Sequence, residues 1–69
     1  MMYDSIRIQG LMITSLINKT LIKLHLSPDA TELRQTLVHL LVCYCHNSMQ
    51  LKPGDQHLTA NVRHLQYTL

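Results

Sequence analysis

His39, Cys43 and His46 are the residues whose types and spacing could do chemistry together. Their i, i+4, i+7 pattern puts all three on one stripe of a helix, with Glu32 one heptad before His39 and Cys45 close by but turned away. Imidazole nitrogen and thiolate sulfur are zinc ligands. A stripe of this length spans about 10 Å at helical rise, whereas zinc bonds are about 2 Å long, so one ion would hold two of the three. The remaining ligands would have to come from a second copy or from His25, His57 or His64. No paired CxxC and HxxxH halves of a zinc module occur. The expectation is an ordinary polar helix face with no metal and no cofactor.

A thiol beside an imidazole is also the pair from which nucleophilic catalysis is built. Such chemistry needs a third orienting group, donors for the developing oxyanion and a pocket that excludes water. One solvent-facing helical stripe offers none of these, so the chain is not expected to be an enzyme. Redox sensing by Cys43 is the remaining chemical reading of the stripe, and an incidental or structural cysteine is the simpler one.

The elements that would position these residues follow from periodicity. Asp4 or Ser5 could cap a first helix over about 5–26. Within it Ile13, Leu16, Ile17, Leu21 and Leu24 recur at three- and four-residue steps on one broad face. A narrower stripe of Leu11, Ser15, Ile22 and Leu26 lies on another side, so this helix should meet two neighbours. The rival reading is a β-hairpin turning at Asn18 and Lys19. Ser27, Pro28 and Asp29 supply a cap, a residue suited to the first turn and a charge suited to the positive end of the dipole. A second helix should therefore run over about 28–48. Along it Ala30, Leu33, Leu37, Leu40 and Tyr44 step by three, four, three and four, which is a heptad seam, and Leu41 widens the buried face. Glu32, Gln35, Thr36, His39, Cys43, His46 and Asn47 form the opposite side, expected to meet solvent or a partner. Residues 52–55 are expected to make a turn through Pro53 and Gly54. Leu58, Val62, Leu65 and Leu69 then fit a short helix over about 56–67 with Asp55 as its cap, although Leu58, Ala60 and Val62 would equally suit a strand.

Composition narrows the function classes. With 69 residues and no Trp or Phe, a core must be assembled from Leu, Ile, Val and Met, and a chain this short buries only a modest core by itself. Cys43 and Cys45 are too close in sequence to staple distant segments, which fits a reducing setting. The first ten residues carry Asp4 and Arg7, and no leader-like cleavage pattern follows Gly10. The apolar run Leu11–Leu26 is broken by Asn18, Lys19 and Lys23, so no membrane span is expected, and two lysines give little attraction to an anionic membrane surface. The expected location is the cytoplasm. Arg7, Lys19, Lys23, Arg34, Lys52 and Arg63 are scattered, without the clustering that phosphate contacts require. Read as the recognition helix of a helix-turn-helix, the second helix would offer Glu32, Gln35 and His39 but only Arg34 for the backbone. Five histidines would, if all protonated, add five charges to a formal net charge of +2, so acid sensitivity is a physical option.

The stretch Asn18-Lys19-Thr20-Leu21-Ile22, followed by Asp29-Ala30-Thr31-Glu32-Leu33-Arg34-Gln35-Thr36-Leu37-Val38 and Cys43-Tyr44, resembles the YmgB/AriR family of small bacterial regulatory connector proteins. The likeness covers under half of the chain, and Met49–Leu69 lies outside it. It implies a helical homodimer that modulates biofilm formation and acid-stress responses through regulatory partners, DNA among them.

These readings converge on an all-α protein: a two-helix hairpin with a short third helix, assembled as a dimeric helical bundle. The expected function is regulatory or adaptor-like and non-enzymatic. Self-association would run through Ala30, Leu33, Leu37, Leu40 and Tyr44, and an unidentified protein partner would read Glu32, Gln35, His39 and His46. The alternatives are a nucleic-acid-binding regulator, whose basic surface forms only in the dimer, and a histidine-rich pH or metal sensor using His39, Cys43 and His46.

Overall fold

The computed structural model describes residues 6–51 and 56–68. In chain order these form β1 (Ile6–Arg7), α1 (Gly10–Leu26), α2 (Thr31–His46), β2 (Gln50–Leu51) and α3 (Gln56–Tyr67). The architecture is mostly helical, with α1 and α2 folded back as a hairpin and α3 packed on both. The expected caps Asp4, Ser5 and Asp55, the turn 52–55 and Leu69 lie outside the described residues.

α1 is continuous through Asn18 and Lys19, so the hairpin alternative for this segment is excluded. It starts at Gly10 and not near residue 5, because Ile6 and Ile8 alternate with exposed Arg7 and belong to an extended segment. That segment pairs antiparallel with β2, Ile6 opposite Leu51 and Arg7 opposite Gln50, and the Ile8 N–H donates to the Met49 carbonyl at 2.7 Å. The extended segment and β2 deliver three buried side chains, Ile6, Ile8 and Leu51, to the core.

α2 begins at Thr31, three residues later than expected. Ser27 does not cap it through its side chain. Instead the Ser27 carbonyl accepts the Ala30 N–H at 3.1 Å, closing a tight turn around Pro28 and Asp29 that reverses the chain before the helix can start. The other end of α2 carries a Schellman arrangement. Asn47 adopts a left-handed conformation (φ 55°, ψ 25°), its N–H reaches the Tyr44 carbonyl, and the Ser48 N–H donates to the Cys43 carbonyl at 3.1 Å. Asparagine tolerates this backbone better than branched residues do. Met49 also has a positive φ, 52°, and turns the chain into β2.

The core gathers Ile13 and Leu16 of α1, Leu40 and Cys43 of α2, Val62 and Leu65 of α3, and Ile6, Ile8 and Leu51. Leu58 is buried as well. Thr20 and Thr36 are also fully buried. Each donates its hydroxyl to the carbonyl four residues earlier, Leu16 at 2.7 Å and Glu32 at 2.8 Å, so neither polar group is orphaned. α3 runs alongside α2 in the same sense: His57 Nδ1 lies 3.2 Å from the Glu32 carboxylate, and Asn61 Nδ2 donates to Thr36 Oγ1 at 3.3 Å. Lys19 fastens the end of α3 to α1 through the Thr68 carbonyl and hydroxyl.

Leu40→Ala is expected to cost about 2–5 kcal/mol, because a large side chain leaves a close-packed site. Val38→Ala, two residues away on the open side, should stay within about 0.5 kcal/mol. Asn47→Val should cost about 1–2 kcal/mol by forcing a branched residue into the left-handed region. Urea unfolding of the three variants checks the ranking.

Candidate functional site: the outer face of α2

The residues expected to face outward from α2 separate into two groups. Glu32, Gln35, His39, His46 and Asn47 are exposed. Thr36 and Cys43 are not: they lie beside Leu40 in the interior, which corrects their assignment to the outer face. Threonine can bury because its own helix satisfies the hydroxyl, and a free cysteine behaves as a small apolar residue. Cys43 Sγ sits 3.5 Å from the Gln50 carbonyl, directed to the strand and away from the two histidines. The stripe of His39, Cys43 and His46 is therefore interrupted at its centre. Among the described residues no group of three His, Cys, Asp or Glu side chains is placed to hold a metal ion.

The seam expected to self-associate is likewise divided. Leu40 is fully buried within the chain. Ala30, Leu33 and Leu37 are half-buried, and Tyr44 is half-exposed. A second copy cannot reach Leu40 without opening the core, so this seam serves the packing of the chain on itself at least at that position. Leu41, expected to widen the buried face, is instead 42% exposed. On α1 the narrower stripe stays open, with Leu11, Ile22 and Leu26 exposed; of the broad face Ile13 and Leu16 are buried but Leu21 is half exposed, and α1 packs on both α2 and α3.

The distinctive surface lies on α2 diametrically opposite Thr36, Leu40 and Cys43. Val38, Leu41 and Val42 are each close to half exposed, and Cys45 follows on the same side. Two shallow concavities of about 310 Å³ each run along this face. One is lined by Thr31, Arg34, Gln35, Val38 and His39, and the other by Val38, Leu41, Val42, Cys45 and His46. Val38 is common to both. The polar rim is partly fixed: Arg34 donates to the Pro28 carbonyl at 2.7 Å, and His39 Nδ1 lies 3.2 Å from the Gln35 carbonyl. Glu32, although exposed, lies off this face on the α3 side, where it is tied to His57. Chemically the face offers an apolar strip flanked by imidazole, amide and guanidinium groups on one convex helix, a surface suited to contact with another macromolecule.

This face was overlooked in the sequence although a signal for it exists. Thr31, Arg34, Val38, Leu41 and Cys45 repeat the three, four, three, four spacing one residue out of phase with the inner seam. Comparison with protein-family models, curated proteins and solved structures finds no match.

The two thiols should differ sharply in reactivity. Cys45 is exposed and should react with Ellman's reagent within the mixing time, whereas buried Cys43 should react only as the fold opens. Two equally fast thiols in the native protein would contradict the placement of Cys43.

Proposed function

We propose that this chain is a non-enzymatic adaptor or regulatory protein that acts by protein–protein contact through the outer face of α2. The observation that carries this reading is the apolar strip of Val38, Leu41 and Val42, exposed on a helix whose opposite side already supplies the core. Apolar side chains left about half exposed and framed by polar residues are the usual anatomy of a binding patch. The likeness of 29–38 to the YmgB/AriR connector proteins is consistent with a regulatory role. A convex helix surface presents its polar groups side by side, with no element among the described residues facing them to orient them around a reacting atom, which favours recognition over catalysis.

Photo-crosslinking in the producing cell tests the proposal. A photoreactive residue at Val42 should give a discrete crosslinked species, and one at His64, on the exposed side of α3, should not. Leu41→Asp should abolish the Val42 product while leaving the helical circular dichroism intact. A diffuse pattern equal at both positions would refute the binding role of this face.

A further inference from the structure

Taking the outer face of α2 as the binding surface, we propose that its occupant is a second copy of the same chain, with the two α2 helices antiparallel about a two-fold axis between Val38 and Leu41. Thr31, Arg34, Val38, Leu41 and Cys45 are all exposed and follow coiled-coil spacing along almost the whole of α2. A helix bearing the same repeat can seat its side chains between them at every turn. Two-fold association requires a face that is complementary to itself, and this one is, because its apolar residues are central and its only charged residue, Arg34, is near one end.

Charge selects the direction. In a parallel pair Arg34 would meet Arg34 and the two helix dipoles would lie side by side. In the antiparallel pair Val38 meets the partner's Leu41 twice, once on each side of the axis. Arg34 comes level with the partner's Cys45, beside the last turn of α2, where the dipole is negative. The two guanidinium-bearing positions are then about 16 Å apart along the axis, from eleven residues at helical rise, well beyond the ~8 Å screening length of physiological salt. Arg34 is already directed towards its own helix start by its bond to the Pro28 carbonyl, so in the pair it points past the partner's C-terminal end. A seam of one 16-residue helix per chain is a small interface, below or near the ~1,200 Å² at which stable complexes begin. The association is therefore reversible and concentration-dependent.

Sedimentation velocity of the reduced, purified chain over a range of concentrations should show a shift from monomer to dimer. The Val38→Asp/Leu41→Asp double variant should raise the dissociation constant about a hundredfold or more while its helical signal is unchanged. Arg34→Glu, which touches nothing in the core, should weaken the dimer several-fold and serves if the double variant misfolds. Oxidation reads the direction. In R34C the introduced thiol lies opposite the partner's Cys45 and should give a disulfide-linked dimer, and wild-type Cys45 should not link to the partner's Cys45. A chain that stays monomeric, a dimer indifferent to these substitutions, or efficient linkage of wild type with none in R34C overturns the proposal. A monomer that still gives a Val42 photo-adduct with another protein discards the second copy and leaves the interaction role standing; loss of both discards both.

Discussion

A helix can turn only part of its circumference towards its own core, and α2 carries apolar side chains around more than that part. Leu33, Leu37, Leu40, Cys43 and Tyr44 lie on one side, and Val38, Leu41, Val42 and Cys45 lie on the other. Once α1, α3 and the two-strand sheet have closed on Thr36, Leu40 and Cys43, the second set has nothing left in the described part of the chain to cover it. The rest of the molecule follows from this one choice of phase. It decides which cysteine is hidden, breaks the histidine and cysteine stripe, and turns an apolar strip towards whatever lies outside.

The choice of phase was only partly legible in the sequence. Helix content, the hairpin of α1 and α2, and the third helix all follow from three- and four-residue apolar steps, because burial along a helix enforces that period. The two heptad registers of α2, one beginning at Ala30 and the other at Thr31, differ by a single residue. Apolar content alone favours the first, through Leu33, Leu37 and Leu40, and the structure does place Leu40 at the centre. What polarity scales conceal is that Thr36 and Cys43 can be buried at little cost, which rotates the inner face away from Leu41 and Tyr44. The buried face is therefore centred between the seam and the side that had looked polar.

The elements that sequence reasoning missed are tertiary in origin. Two-residue strands have no periodicity of their own, and β1 exists because Ile6 and Ile8 find Met49 and Leu51 across the chain. Their pairing depends on the reversal at the end of α2, where Asn47 and then Met49 adopt positive φ. Asn47 is a recognised stop signal, but Met49 is not, so the second positive φ that turns the chain into β2 is not announced by the usual punctuation. It is held by the Schellman bonds to Cys43 and Tyr44 and by the Ile8 bond to Met49, which together offset a backbone that methionine adopts at some strain. The start of α2 shows the converse. Ser27, Pro28 and Asp29 look like a helix cap, but they are consumed in the turn that lets α2 fold back on α1.

On the proposed reading, opposite faces of one helix also separate folding from recognition. Val38 lies two positions from both Thr36 and Leu40, about 200° around the helix, so a change at Val38 alters the outer strip without entering the core, and a change at Leu40 does the reverse. A chain of 69 residues with a core of this size has little stability to spare. Placing the binding residues within the core itself would couple every change in affinity to a change in folding. With the two sets on opposite sides of α2, the outer strip is free to vary in charge and shape while the inner one holds the hairpin. Contact with another molecule adds to stability by mass action, without any alteration of the core.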